Sequence, residues 1–379
     1  MNHFLKPNTI LGILGGGQLG KMLLQKAADF NITSHVLDPD ENAPCRFLCN
    51  KFEHGSFADY NAVLNFGNEC DIITIEIEHV NVDALFELER LGKKVFPQPH
   101  IIKMVQDKGL QKQFYRQHNF PASDFYLAGK RSDIKSDNFP FIQKTRTAGY
   151  DGKGVIKINS VNEMQNAFDV PSVIEDCVQI EKEISVIVAR NLNGEVKTFP
   201  VVEMEFNKEA NLVEFLFSPS SLDDSSRQKA ISMAEKLIVE LNMVGLLAVE
   251  MFVSKSGEIL INEIAPRLHN SGHHSIEANV TSQFEQHLRA IFNLPLGDTQ
   301  ISAPAVMINL LGEKGFEGDA IYNGIDDALK IGGVYIHLYG KKTTKPFRKM
   351  GHATIVASTL QQAINNANKV KELLKVVSR

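Results

Sequence analysis

The chain has 379 residues, of which 43% are hydrophobic and 22% charged, and carries a formal net charge of −5. That length supports two or three domains around a large core, and the composition is that of an ordinary globular protein. The acidic balance, without a basic stripe interleaved with aromatics, argues against a nucleic-acid surface. No apolar run reaches the roughly 18 residues that span a bilayer, and MNHFLKPNTI is too short and polar for a signal peptide, so the expected compartment is the cytoplasm. Cys45, Cys49, Cys70 and Cys177 lack the second pair of ligands that would complete a zinc site and read as reduced thiols.

Residues 9–38 read as strand, glycine loop, helix and second strand, a βαβ unit. Gly15, Gly17 and Gly20 satisfy G-x-G-x-x-G, and Asp38 stands 18 residues beyond Gly20, near the place of a ribose-binding acid. A nicotinamide-dependent oxidoreductase is one hypothesis. Any phosphate at a helix N-terminus needs the same backbone N–H groups, so the loop reports an anion site more firmly than a nicotinamide. Gln18 adds a polar side chain at its tip. CDIITIEIEHV at 70–80 reads as a buried strand with Glu76 and Glu78 near its C-terminal end, where open α/β sheets bind ligands; a solvated strand end is the alternative. A short strand and two prolines at 94–100 close a first domain over 1–98. One helix over 101–120 follows, with Lys103, Lys108 and Lys112 expected mostly at the surface.

FPFIQKTRTAGYDGKGVIKI at 139–158 reads as two antiparallel strands joined by a loop holding Gly149, Gly152 and Gly154. Such a loop can fold its N–H groups over a triphosphate, with Lys144 and Lys153 adding charge; a flexible hairpin is the alternative. Residues 172–190 read as strand, acidic connector and strand, whose backbone at 175–178 suits an adenine edge while Glu183 suits ribose hydroxyls. A helix over 225–242 leads to a hairpin with strands at 248–253 and 258–264. If Val253 pairs with Glu258, Glu250 lies opposite Ile261 and Glu263 is its diagonal neighbour, with backbones roughly 7–8 Å apart. Two acids among Val, Met, Ile and Leu are costly to desolvate unless a cation sits between them, and rigid oxygen ligands suit magnesium carrying phosphates. A solvated face is the alternative. Strict alternation sends Asn262 to the opposite face, so its joining the acids requires a bulge. Beyond the hairpin, Arg267, His269 and Asn270 crowd donors into a loop suited to an anion. The last 80 or so residues read as strands with a basic stretch at 341–349 and a final helix at 360–375.

GGGQLGKM from 15, TAGYDGKG from 147, LINEIAPRLHNSGHHS from 260, SQFEQHLRAI from 282 and RKMGH from 348 stand in an order that resembles the ATP-grasp superfamily. Within it, the chain resembles the N5-carboxyaminoimidazole ribonucleotide synthetase family over nearly its whole length. The resemblance implies a mixed α/β and α+β ATP-grasp fold. Its parts are a Rossmann-like pre-ATP-grasp domain over 1–98, an ATP-grasp domain over 99–298 with a lid at about 123–185, and a small, mostly β C-terminal domain over 299–379. It also implies carboxylation of 5-aminoimidazole ribonucleotide by bicarbonate through carboxyphosphate, using ATP and two magnesium ions. A homodimer and a mutase acting on the product are the implied partners.

By position, the resemblance assigns Lys108 and Lys144 to ATP phosphates, covered by Gly149, Tyr150, Asp151, Gly152, Lys153, Gly154 and Val155. Glu175, Asp176, Cys177 and Val178 would hold adenine and Glu183 the ribose. Glu250 and Glu263 would hold magnesium, with Asn262 at the ATP end. Gln18, Leu19, Glu78, Tyr150, Asp151 and Lys153 resemble positions for the aminoimidazole nucleotide, whose phosphate would meet Lys341 or Lys342 and Arg348. Arg267, His269, Asn270 and Lys153 resemble the residues that handle carboxyphosphate. The family pattern is broken by Ala148 in place of a loop glycine, by Phe206 in place of a histidine, and by Lys345 and Phe347. A catalytically silent relative is a further alternative, against which the complete acid pair argues.

Overall fold

The computed structural model describes residues 3–135, 139–147, 149, 154–207, 209 and 212–379. β1 (Ile10–Leu14), α1 (Gln18–Asp29), β2 (Thr33–Asp38), β3 (Lys51–His54), α2 (Tyr60–Asn68), β4 (Ile72–Ile75), α3 (Val82–Arg90) and β5 (Lys94–Val95) build a parallel sheet in the order β3-β2-β1-β4-β5. Its central strands, ILGIL and IITI, are almost wholly apolar because both faces are covered, one by α1 and the other by α2 and α3. The chain direction across the sheet reverses between β1 and β4, so a crevice opens at their C-terminal ends, where Gly15 to Leu19 and Glu76 to Glu78 emerge.

The single helix expected over 101–120 is two, α4 (Pro99–Val105) and α5 (Lys108–Gln117). Asp107 divides them, its carboxylate accepting from the N–H groups of Gly109 and Leu110 at the start of α5. β6 (Phe125–Ala128), β7 (Phe141–Thr145), β8 (Val155–Ile158) and β9 (Ser172–Asp176) form a separate sheet in the order β6-β9-β7-β8. β7 and β8 are the antiparallel hairpin expected from the sequence, with Lys144 opposite Val155. Of its loop, Ala148, Tyr150, Asp151, Gly152 and Lys153 lie outside the described residues.

β10 (Ile180–Arg190), β11 (Val196–Thr198), β12 (Val202–Asn207), β13 (Leu212–Ser218), α6 (Asp224–Glu240), β14 (Gly245–Ser254), β15 (Ile259–Ala265), α7 (Ser275–Ala278) and α8 (Gln283–Ile291) follow. The C-terminal part holds β16 (Ala305–Leu311), β17 (Gly318–Asn323), α9 (Ile325–Leu329), β18 (Val334–Leu338), β19 (Thr343–Thr344), β20 (Lys349–Val356), α10 (Leu360–Leu373) and β21 (Lys375–Ser378). The final helix therefore ends before residue 375, and the chain returns as a strand beside β17. One antiparallel sheet, β15-β14-β10-β12-β13-β16-β20-β18 with β11 beside β10, runs through both parts, joined where Phe215 of β13 lies opposite Ile308 of β16. On one face Ile184, Met251 and Ile261 line up across β10, β14 and β15 in a core with Leu237 of α6 and Tyr115 of α5. Each such buried side chain contributes about 1.5–3 kcal/mol. The residues between them point to the opposite face.

Candidate active site

That opposite face carries Glu183 and Ser185 of β10, Phe252 and Glu250 of β14, and Glu263 of β15. The expected register is corrected here: Val253 pairs with Ile259, and Glu250 lies directly opposite Glu263 rather than Ile261. The register shifts between Met251–Ile261 and Glu250–Glu263, which makes Asn262 the additional residue of a bulge. The bulge puts Glu263 beside Glu250 without turning Asn262 away, and the Asn262 Oδ1 accepts a 2.8 Å hydrogen bond from Lys144 Nζ.

The two acids sit in opposite electrostatic settings. Burial and the charge of Glu263 push the Glu250 carboxyl well above the usual carboxylate range. Lys108, whose Nζ lies 2.6 Å from Glu263 Oε2, holds the Glu263 carboxyl well below the usual carboxylate range. Burial pushes Glu183 up to about 7. Two facing carboxylates and the Asn262 amide oxygen form a hard, oxygen-rich donor set, and the strain of holding two anionic groups together is what a divalent cation would relieve.

Lys108 opens α5, and Lys144 is the penultimate residue of β7. Lys144 Nζ is also 3.1 Å from Glu175 Oε1. The Glu175 side chain is turned into the protein, so only its backbone faces the connector 177–179, where Cys177 and Val178 are half-buried and Asp176 is exposed. Lys112, expected at the surface, is instead buried against Glu175 at 3.1 Å, because α5 lies on β9 with that lysine facing inward. Phe206 packs half-buried against Val202, Met204, Val213, Leu216 and Met307, a position for apolar contact rather than for a polar ligand.

The loop after β15 is fixed from three sides. His269 approaches Glu250, with Nε2 3.5 Å from Oε1, while its Nδ1 lies 2.9 Å from the Ser271 hydroxyl, itself 2.8 Å from Ser185 Oγ. Arg267 Nε sits 2.8 Å from Glu78 Oε1, which ties the loop to the first sheet. Asn270 and Asn309 of β16 exchange two amide hydrogen bonds, at 2.9 and 3.0 Å, and Asn309 also donates to the Val213 carbonyl. Ser185 and Asn309 were not singled out from the sequence, and Lys112 was read there only as a surface charge.

At the glycine loop the structure removes the dinucleotide reading. Glu76 accepts from the backbone N–H of Gly17 at 2.7 Å and of Leu19 at 3.1 Å, occupying the donors a pyrophosphate would need. Burial pushes the Glu76 carboxyl up, and those two N–H groups oppose the shift. A Cβ on Gly17 would come within 2.5 Å of Glu76 Oε1, and one on Gly15 within 2.8 Å of Oε2, so these glycines make room for that carboxylate. Asp38 accepts from Gly16 N–H at 2.6 Å and is not extended toward a ribose. Gln18 accepts from Lys341 Nζ at 3.2 Å, while Lys342 Nζ reaches Asn42 and Arg348 donates to the Thr343 carbonyl and hydroxyl. Of the two lysines, Lys341 is therefore the one gathered with Gln18.

Three family models match successive stretches: a ribonucleotide synthetase preATP-grasp domain over residues 8–106, an ATP-grasp domain over 113–284 and a phosphoribosylaminoimidazole carboxylase C-terminal domain over 305–366. The N5-carboxyaminoimidazole ribonucleotide synthase of Bacillus subtilis is 36% identical, the match covering 93% of this chain and 93% of that protein. The crystal structure of the Thermotoga maritima N5-carboxyaminoimidazole ribonucleotide synthetase superposes with a TM-score of 0.91 at 40% identity, covering 98% of this chain and all of that one. This chain belongs to the N5-carboxyaminoimidazole ribonucleotide synthase family. A further synthase of that family, from Aspergillus clavatus and solved with ADP and 5-aminoimidazole ribonucleotide, matches with a TM-score of 0.87 at 31% identity over 96% of this chain and 98% of its own. The chain spans about two thirds, 64–67%, of the plant and yeast phosphoribosylaminoimidazole carboxylases it matches at 36–38% identity. Among the described residues no helix is long and apolar enough to cross a membrane.

Proposed function

We propose that this chain carboxylates 5-aminoimidazole ribonucleotide with bicarbonate and ATP, giving N5-carboxyaminoimidazole ribonucleotide, ADP and phosphate in purine synthesis. The observation that carries the reading is the bulged Glu250–Glu263 pair, with Lys108 and Lys144 against it and the 267–270 loop beside it. Bicarbonate oxygen attacks the γ-phosphorus, ADP leaves, and the carboxyphosphate formed passes its carboxyl group to the exocyclic amine as phosphate departs. Lys108 and Lys144 neutralise charge on the phosphates, which is where most of the stabilisation in phosphoryl transfer lies. Glu250 and Glu263, with Asn262, would hold magnesium, two ions in this reading, which supplies further neutralisation of the phosphoryl oxygens.

Arg267 and His269, one tied to Glu78 and the other set by Ser271, present their donors to the carboxylated anion, and Asn270 fixes the loop that carries them. Gln18, Leu19, Glu78 and Lys341, with Arg348, form the aminoimidazole nucleotide side. The loop 149–155 covers the triphosphate, and a closed cover keeps water from the mixed anhydride. The division at 98 and 298, the homodimer, the cytoplasmic setting and the mutase that takes the product belong to the same reading.

The experiment is ADP release with magnesium, ATP and bicarbonate, with and without 5-aminoimidazole ribonucleotide. Release that requires the nucleotide is the expected result. Release independent of it, or none, moves the substrate to another amine.

A further inference from the structure

Lys112 stands outside every role assigned above, yet it is among the most deeply buried cations of the described residues, with a side chain 3% exposed. Its ammonium has two partners, both internal: Ser123 Oγ accepts from it at 2.9 Å and Glu175 Oε2 lies 3.1 Å away. Ser123 in turn donates to the same Glu175 oxygen at 2.6 Å. The other oxygen of Glu175 faces Lys144 at 3.1 Å, and Lys144 reaches Asn262 of the bulged hairpin at 2.8 Å. The contacts thus run from α5 through β9 and β7 to β15.

Burying an ammonium and a carboxylate costs more than burying an apolar side chain of the same volume. An apolar residue at 112 would leave Lys144 as the remaining ion-pair partner of Glu175, and that pair would sum to zero. With Lys112 present, two ammonium groups share one carboxylate, so the cluster carries one net positive charge. Beyond Glu175, Lys144 hydrogen-bonds the neutral Asn262 and feels Glu263 and Glu183 only at longer range, Glu263 being ion-paired with Lys108.

We infer that Lys112 is a positioning residue for nucleotide binding: it neutralises Glu175 so that Lys144 presents a full positive charge to the nucleotide phosphates. The inference rests on the ATP reading above. Lys112 touches no ligand itself, and its action is confined to phosphate-bearing ligands.

The test compares magnesium-ADP with adenosine by titration calorimetry. In Lys112→Gln the amide still donates to Glu175 while the charge is gone. The ADP dissociation constant rises about tenfold, the size expected for one charge acting over several ångströms in partly shielded surroundings, while adenosine stays within about twofold. Lys112→Arg restores the ADP value. An equal change for both ligands, or no change for either, overturns the inference. Should Lys112→Gln not fold, Glu175→Gln decides: with the carboxylate removed Lys144 loses its nearest counter-charge, so ADP binding holds or tightens. A fall of about tenfold for ADP alone would show that Glu175 works by aiming Lys144, and would overturn the charge assignment. A wild-type chain that binds no ADP overturns the nucleotide reading and this inference with it.

Discussion

Glu250 and Glu263 are direct cross-strand partners, and they are so because Asn262 is inserted between the paired positions. In an unbroken ladder the Met251–Ile261 pair would be followed by Glu250 against Asn262 and Val249 against Glu263, which would turn Glu263 to the core face. Glu263→Gln keeps the shape and the hydrogen-bonding capacity of the side chain but removes half of the anionic pair. ADP release falls at least about a hundredfold, and thermal melting followed by circular dichroism stays cooperative. A variant that retains more than about 5% of the wild-type rate would sink the assignment of this pair to the metal.

Glu76 seals the donors at the start of α1, so NADH has no anion site there. Adding the protein leaves NADH fluorescence unchanged; a saturable quench or blue shift would restore the dinucleotide reading. Gly17→Ala forces a methyl group against the Glu76 carboxylate and leaves its hydrogen bonds to be remade. The loss is about 1–3 kcal/mol of unfolding free energy, measured by urea titration.

Glu175 is held down to about 2 from an ordinary 4.5, against the effect of its burial, chiefly by Lys144 and then Lys112. A depressed carboxyl stabilises the fold above its unfolded value and loses that contribution as pH falls toward its folded value. Between about pH 4.5 and pH 2 the wild type therefore loses roughly 3 kcal/mol that Glu175→Gln never had. Urea unfolding of both proteins across that range checks it: the two stability curves converge as the solution becomes acidic. Parallel curves would remove the ion cluster as the source.

Asn309 lies in the C-terminal part of the chain, yet it engages both ends of the Asn270 carboxamide. Asn309→Leu leaves that amide and the Val213 carbonyl without their partner, at about 1–3 kcal/mol. The loop carrying Arg267 and His269 loosens, and kcat for ADP release drops about tenfold, more than KM for ATP rises. A KM effect alone would place Asn309 with the nucleotide instead of the loop.

The acid-bearing hairpin, the antiparallel pair β7–β8 and the parallel first sheet were legible because each is set by neighbours in sequence: alternating apolar residues, a turn, a run of Ile and Leu. The split between α4 and α5 was also within reach, since an aspartate followed by a helical run is a cap signal. The burial of Lys112 was not, because it depends on Ser123 and Glu175, 11 and 63 residues away. Nor was the capture of the glycine loop by Glu76, 59 residues from Gly17. G-x-G-x-x-G states that the backbone donors are exposed at a tight turn; it does not say whose oxygen takes them. The bulge was recognisable only as a condition, since alternation alone cannot tell which residue leaves the register.

The pairing of β13 with β16 makes one continuous sheet out of what the sequence divides at residue 298. Strands that share a ladder cannot swing past each other, so the acid pair on β14 and β15 and the basic stretch before β20 are mounted on a common chassis at a fixed spacing. A chain cut at residue 298 would leave β13 as a bare edge, and such a fragment would recruit a strand from any neighbour rather than remain a working half.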